Sequence, residues 1–407
     1  MYKLVVKIAW ASLHRRKIRS GLVVLMIAVS LWGVLFMEGI YDGMIEQMIG
    51  NAIRSGSGDI TLFVKGYRLD NDLGKLITRT EDIDRLLSND KRVKTYIMRI
   101  RQDGLVATAQ YSRNVSIYGV ELEAERVHGR LDSYITSGEF SFGRKNKGVI
   151  LGAKLADKLK VKIGKKVILS AQNSENDVSS MAFKVTGIIK TNNMALDETA
   201  IFIDRHKAGD LLLVPQGVTQ VCMILHNEKD IPALQGELQK HFSELEVFRW
   251  DEIYPALMQS RVMMEWFNLV ISLIVFCVAG LGIFGVMLVS VLERLREFGI
   301  MLAVGTKFSQ IRQIVMAESF FLGFIGFLAG SLLGGITLYY FYVSGLDLTM
   351  FSKGLDAFGM DAITYAIIRP SYFITAFIAV SLATFLSVLL PLRFLKKAKP
   401  IEAIRNI

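Results

Sequence analysis

The side chains best placed to do chemistry in this sequence lie in one short charged segment, Glu293 to Phe320. Its first ten residues begin with four charged side chains and continue with apolar ones: Glu293, Arg294, Arg296 and Glu297, followed by Phe298, Ile300, Met301 and Leu302. Such a face makes ion pairs and apolar contacts, so it suits docking of a second protein. A charge run of this kind is also compatible with a solvated helix surface whose i, i+4 neighbours pair with one another.

Residue patterns typical of catalysis are absent from the sequence. It contains neither the G-x-x-x-x-G-K-[ST] phosphate loop nor the H-E-x-x-H zinc motif. The five histidines are scattered without metal-ligand spacing, and Cys222 and Cys277 lie in segments that should not meet. We therefore expect no enzyme activity, no catalytic residue, no metal site and no cofactor in this chain.

Four apolar runs are long enough to cross a bilayer, which takes about 20 residues. The chain has 407 residues and is 52% hydrophobic, yet 21% of it is charged, which is typical of a membrane protein with a large water-soluble part. The predicted segments are an amphipathic N-terminal segment (1–20), spans at 21–41, 263–292, 319–343 and 371–395, an outer domain (42–262), a charged bridge (293–318), an outer loop (344–370) and a tail (396–407).

Positive charge is concentrated beside the spans. Residues 1–20, 293–318 and 393–407 hold 15 basic and 4 acidic residues, whereas the whole chain has a net charge of +10. Basic residues that flank spans mark the cytoplasmic side, so both termini and the bridge are predicted to be cytoplasmic and the outer domain extracytoplasmic. The remainder of the chain is nearly neutral, so we expect no basic patch for nucleic acid.

The outer domain shows mixed helix and strand patterns. Apolar spacing continues the first span as a helix until Gly56, and Ile60–Val64 reads as a strand. Separate strands are predicted at Tyr96–Arg101 and Gly104–Thr108, and a helix from Trp250 leads back to the second span. The predicted fold is a four-helix transmembrane domain with a large α+β extracytoplasmic domain on a helical stalk.

Small residues and methionines mark further surfaces. The G-x-x-x-G pattern at Gly326–Gly330 favours close helix packing, either within this chain or at a seam between two chains. Five methionines beside the first two spans are compatible with a stalk core or with an adaptable surface for cargo: Met44, Met48, Met258, Met263 and Met264.

Three segments resemble the FtsX-like permeases of macrolide-exporter-type ABC systems. They are the bridge ERLREFGIMLAVGTKFSQIRQIVMAES, the outer element GVILGAKLADKLKVKIGKKVIL and the tail PLRFLKKAKPIEAIRNI. Similarity in IRSGSGDITLFVKGY and YGVELEAER points to the lipoprotein-releasing branch. The polar loop at Gln172–Ser180 lacks the aromatic anchor of that branch's carrier hook. The resemblance implies that the bridge docks an ATPase through Glu293, Arg294, Arg296, Glu297, Gly299, Ala303 and Gly305.

The resemblance also implies a function and its partners. It predicts a permease subunit in a bacterial inner membrane that works with a second permease, identical or homologous, and with two copies of a separate ABC ATPase that binds ATP and Mg²⁺. Mechanotransmission would then move a lipoprotein, lipid-like or amphipathic cargo from the outer leaflet or periplasm. The alternative is an FtsX-like regulatory subunit that transmits ATPase motion to an extracytoplasmic partner such as a cell-wall hydrolase.

Overall fold

The computed structural model describes residues 2–15, 17–191, 193–214, 216–355 and 360–397. Contacts divide the chain into two compact units. The membrane unit comprises residues 1–44, 261–347 and 363–407, and the head comprises residues 45–260 and 348–362. Arg16 and most of the predicted tail (398–407 of 396–407) lie outside the described residues.

The secondary structure of the described residues mixes long helices with short strands. The helices are α1 Tyr2–Arg15, α2 Lys17–Ala52, α3 Tyr67–Asp70, α4 Thr80–Asn89, α5 Leu122–His128, α6 Ala153–Leu159, α7 Met194–Thr199, α8 Arg205–Leu212, α9 Ile231–His241, α10 Trp250–Ile253, α11 Pro255–Glu293, α12 Leu295–Ala303, α13 Phe308–Ser344, α14 Ser352–Leu355 and α15 Pro370–Lys397. The strands are β1 Ile60–Val64, β2 Val93–Ala107, β3 Ser112–Val120, β4 Ile135–Gly138, β5 Gly148–Gly152, β6 Lys166–Gln172, β7 Val178–Ile189, β8 Ala200–Asp204, β9 Gln220–Leu225, β10 Leu245–Arg249, β11 Leu346–Asp347 and β12 Ile363–Thr364.

Four helices of the described chain are long and apolar enough to cross a membrane, namely α2, α11, α13 and α15. Each predicted span lies within one of them. The helices α2 and α11 extend beyond their predicted spans, α2 to Ala52 and α11 back to Pro255, as expected of a helical stalk. Strands in the head complete the predicted combination of transmembrane helices with an α+β domain.

Glycines allow α13 to lie directly against α2 in the membrane unit. A Cβ added to Gly326 would lie 2.7 Å from the Cβ of Ile27, and one added to Gly330 would lie 2.9 Å from the carbonyl oxygen of Ala28. Small side chains permit this approach of two backbones. The intra-chain alternative is therefore confirmed for the G-x-x-x-G pattern.

A mixed sheet forms the head. Its strand order is β10-β1-β9-β2-β3-β8-β5-β7-β4, and β6 pairs with both β2 and β7. The strands β2, β3, β8, β5, β7 and β6 therefore close a ring, which buries apolar side chains such as Ile117, Val149 and Phe183.

The structure corrects the prediction of two strands at 96–108. A single strand, β2, runs through Gly104 from Val93 to Ala107. At Gly104 a Cβ would lie 2.6 Å from the carbonyl oxygen of Ser170 on β6. The glycine thus permits a close approach of two strands, and the polar residues Gln102 and Asp103, which separated the two predicted strands, lie within β2.

A buried ion pair joins β2 to α5 inside the head. The Arg99 guanidinium donates to both carboxylate oxygens of Glu125, over 2.5 and 2.7 Å, and to the carbonyl oxygen of Gly56 over 2.7 Å. Both side chains are only 1% exposed. Two partners for one guanidinium satisfy a charge that would otherwise be costly to bury.

His128 lies beside this pair. Its Nδ1 is 3.0 Å from the Thr95 hydroxyl, and its buried Nε2 has no hydrogen-bond partner among the described residues. Burial, with a smaller contribution from the positive charge of Arg99, lowers the pKa of His128 to about 3. The imidazole is therefore neutral at ordinary pH.

Candidate functional site

The bridge between the second and third spans is a short helix with defined ends. The helix α11 stops at Glu293, α12 occupies Leu295–Ala303, and α13 starts at Phe308. Gly305 has φ +99°, its amide donates to the Leu302 carbonyl, and the Thr306 amide donates to the Met301 carbonyl. This pair of bonds is the Schellman motif, which favours glycine at the left-handed position. Gly305 therefore ends α12.

Ion pairs hold this helix within the membrane unit. Arg294 donates to Glu318 of α13 over 2.9 Å and to Glu297 over 3.1 Å, and its guanidinium lies 4.9 Å from the centre of the Phe298 ring. Arg19 of α2 makes a two-bonded pair with Glu293, with both distances 2.8 Å. Two-bonded arginine–carboxylate pairs restrict orientation as well as distance. The bridge is thus tied to both α2 and α13.

One face of α12 remains exposed. Arg296, Ile300 and Val304 recur every four residues, so they lie on one side of the helix. Ile300 is 51% exposed and Val304 is 83% exposed. We call these three residues, with Glu297 and Ala303 beside them, the bridge stripe. It combines charge of both signs with apolar area, which suits recognition of a protein surface.

The structure divides the predicted docking residues into two groups. Arg296, Glu297, Ala303 and Gly305 are exposed, whereas Gly299 is buried and the Arg294 side chain is 14% exposed. Glu293 is exposed but engaged by Arg19. The inward residues hold the helix, and the exposed ones can contact a partner.

From the sequence, Arg19 was counted only as one of the basic residues near the first span, and Glu318 only as an acidic residue of the bridge motif. Both prove to be partners of bridge residues. Val304 was also missed as a surface residue, although its four-residue spacing from Ile300 and Arg296 would have revealed the stripe.

The five methionines predicted to contact cargo do not share one environment. Met48 is buried, and Met44 packs against an apolar cluster around Leu31 and Leu35 of α2. Met258 and Met263 on α11 are exposed, and Met264 is half-buried. Only part of this set is therefore available to a ligand.

No group of three or more histidine, cysteine, aspartate or glutamate side chains that could hold a metal ion occurs in the described part of the chain. Both cysteines are free there, with Cys222 buried in the head and Cys277 exposed on α11.

Two family models match the chain. The model of the MacB-like periplasmic core domain matches residues 20–241, and the model of the FtsX-like permease C-terminal region matches residues 269–400. The first covers more than half of the 407 residues. The second includes most of the second span, the bridge and the third and fourth spans.

Curated relatives agree with these models. The macrolide export ATP-binding/permease protein MacB of Pasteurella multocida is 24% identical over 95% of this chain and 58% of its own length. The lipoprotein-releasing system transmembrane protein LolC of Neisseria meningitidis is 21% identical over 80% of each chain. The chain thus spans about three fifths of the macrolide exporters that it matches.

Solved structures include similar chains. The periplasmic region of MacB from Actinobacillus actinomycetemcomitans aligns with 52% of this chain and 97% of its own, at 15% identity and a TM-score of 0.36. The extracellular domain of the transporter YknZ aligns with 47% of this chain and 99% of its own, at 15% identity and a TM-score of 0.34. Both scores are low, so neither likeness supports a statement about activity.

The family models, the curated relatives and the four apolar helices agree with one another. The chain is a membrane protein and belongs to the FtsX-like, MacB-type family of ABC transporter permeases.

Proposed function

We propose that this chain is the permease subunit of a MacB-type ABC export system and that the bridge stripe is the docking surface for its ATPase. The exposed face of α12 carries this proposal, because Ile300 and Val304 leave large apolar side chains uncovered on a short charged helix between two spans. A partner that covers them would bury apolar area at the centre of its contact, with Arg296 and Glu297 at the rim.

The ion pairs of the bridge support a mechanical role. A force applied to α12 would pass through Arg294–Glu318 to α13 and through Glu293–Arg19 to α2. Two permeases, identical or homologous, would each bind one ATPase, and closure of the ATPase pair would move their bridges together. ATP and Mg²⁺ would be bound by the ATPase, since the sequence here has no phosphate loop. The bridge and both termini would face the cytoplasm of a bacterium, with the head in the periplasm.

The cargo class is the least specified part of the proposal. Relatives are named for macrolide export and for lipoprotein release, so an amphipathic or lipidated cargo fits both. The hairpin between β6 and β7 is ordered by Asn173, whose side-chain oxygen accepts from the amides of Glu175 and Asp177. The loop residues 174–177 are exposed and polar or acidic, and the exposed Val178 that follows them is aliphatic, so the hairpin offers little to a carrier protein.

Co-purification with the ATPase tests the docking surface. The double variant Arg296→Glu with Ile300→Asp should reduce the amount of ATPase recovered with the full-length permease at least tenfold, because it reverses the rim charge and places a carboxylate at the apolar centre. The matched control is Lys229→Glu with Val178→Asp, which makes the same changes at exposed positions of the head. Equal recovery with both variants would refute the assignment of the stripe.

ATP turnover of the reconstituted complex then separates the two functions. Stimulation by an added lipopeptide supports export, whereas a stably bound cell-wall hydrolase without such stimulation supports the regulatory alternative.

A further inference from the structure

The head carries a dense group of exposed basic side chains, and none of them belongs to the bridge or to the membrane unit. Three separate parts of the chain contribute to it: Arg144, Lys145 and Lys147; Lys162, Lys165 and Lys166; and Lys184. We call these seven side chains the basic patch. All seven are exposed.

Backbone hydrogen bonds bring the three parts together. The Lys184 amide donates to the Lys147 carbonyl over 2.9 Å, and the Val185 amide donates to the Lys165 carbonyl over 2.9 Å. Lys166 of β6 lies directly opposite Lys184 of β7 in the antiparallel register. The sheet therefore fixes the positions of the backbone segments that carry the patch.

The charges of the patch are uncompensated within the described chain. None of the seven takes part in an ion pair with a described acidic residue. Glu139 lines the adjoining pocket, and Asp204 accepts a hydrogen bond from Asn146, but neither pairs with a patch cation. Like charges placed directly opposite across a strand pair are destabilising, so Lys166 and Lys184 oppose the pairing of β6 with β7. An anion held between them would remove that repulsion.

The patch surrounds a concave pocket of about 620 Å³. Arg144, Lys145, Lys147 and Lys184 line it, together with Ile163, which is 41% exposed. The volume lies in the range typical of small-molecule sites, about 300–1,000 Å³. A ligand here would meet four cations, the carboxylate of Glu139 and the exposed aliphatic side chain of Ile163.

The residue types of the basic patch favour a phosphate group as its ligand over the surface of another protein. Six of the seven cations are lysines, which are depleted at protein–protein interfaces, and Phe142, the only aromatic residue in the described pocket lining, is buried. Clusters of four to eight lysines and arginines bind anionic lipid headgroups where they lie beside a span or on an amphipathic helix, and this patch has the same number of charges. Proteins that bind single-stranded nucleic acid typically add exposed aromatic rings for base stacking, which the described lining lacks.

We propose that the basic patch and its pocket bind the phosphate-bearing headgroup of an anionic membrane lipid, with Ile163 against the first carbons of the lipid. This site does not depend on ATPase docking, and its test needs no ATPase. The charge count along the sequence did not reveal this patch, because the charges that form it come from three separate segments.

Calorimetric titration of the full-length protein in uncharged maltoside micelles tests the site. The probe is dihexanoylphosphatidic acid below its critical micelle concentration, compared with dihexanoylphosphatidylcholine, inorganic phosphate and polyglutamate. We expect phosphatidic acid to bind at least tenfold more tightly than each of the other three. The triple variant Lys147→Gln, Lys166→Gln, Lys184→Gln should weaken it at least tenfold without lowering Tm, because the variant also removes the repulsion between β6 and β7.

The control triple variant is Lys65→Gln, Lys91→Gln, Lys229→Gln, which removes the same charge from exposed positions elsewhere on the head. It should change the Kd less than twofold. An equal loss with both triple variants would mean non-specific attraction and would overturn the proposal. Inorganic phosphate binding as tightly as the lipid would replace it with a free-anion site, and tighter binding of polyglutamate would replace it with an acidic protein partner.

Discussion

Arg294 shows how a charged residue can lie in the bridge and still be turned inward, away from the exposed face of α12. Its guanidinium bonds to Glu318 and Glu297 and stacks on Phe298, so little of it is exposed. Glu318 is itself only 9% exposed. A charge in this position is more costly to leave unpaired than a surface charge. We therefore assign Arg294 to the support of α12, beneath the bridge stripe.

Replacing Arg294 by alanine should destabilise the full-length protein by about 3 kcal/mol, because it leaves the Glu318 carboxylate partly buried without its cation. The measurement is the thermal unfolding midpoint in detergent. Arg296→Ala, at an exposed position of the same helix, should change the free energy of unfolding by no more than about 0.5 kcal/mol. The exchange Arg294→Glu with Glu318→Arg should recover part of the loss, and no recovery would argue against the pair as its cause.

At the scale of elements, the contact of α13 with α2 depends on glycine. Gly326, Gly330 and Gly334 face Ile27, Ala28 and Leu35 of α2. Apolar association adds little between helices in lipid, so their packing depends on how closely the backbones approach. By contrast, a Cβ at Gly285 on α11 would meet nothing within 4 Å.

Gly330→Ala should therefore destabilise the membrane unit, by about 1–3 kcal/mol, because the new methyl group meets the backbone of Ala28, which cannot move aside as a side chain can. Gly285→Ala is the matched control and should stabilise by up to about 1 kcal/mol through helix propensity. Thermal unfolding of the two single variants shows whether each substitution raises or lowers the free energy of unfolding. A stabilising Gly330→Ala would show that the two helices are not in close contact.

At the scale of the whole molecule, a histidine buried in its neutral form in the head makes stability depend on pH. Burial holds the pKa of His128 at about 3 in the folded protein, whereas an unfolded histidine titrates near 6.5. Between these values the unfolded chain binds a proton that the folded chain does not. The free energy of unfolding should thus fall as the pH decreases through this window, by about 1.4 kcal/mol per pH unit from this residue.

His128→Gln should flatten the decline in unfolding midpoint between pH 6.5 and pH 4.5, since glutamine does not titrate and can still bond to Thr95. The check is the midpoint of the full-length protein at several pH values, with the exposed His226→Gln as control. Carboxylates contribute to the slope in every variant, so the difference between His128→Gln and the wild type isolates His128. Identical slopes in these two proteins would contradict the buried neutral histidine.

Sequence alone determined the features that depend on local pattern. Apolar runs of spanning length predicted the four long helices, and local apolar patterns predicted head strands such as Ile60–Val64, because hydrophobic spacing follows the period of the element that buries it. The motif of the bridge located the candidate site and includes Gly305, which ends its helix.

Only the tertiary structure decided which residues of these elements are exposed and can contact another molecule. It turned Arg294 and Gly299 inward, left Ile300 and Val304 uncovered, and paired Arg19 with Glu293 across more than 270 positions. It also gathered Lys147, Lys166 and Lys184 into one patch that a sum of charges along the chain hides. Exposure and charge clustering depend on contacts between distant segments, and those contacts have no period in the sequence.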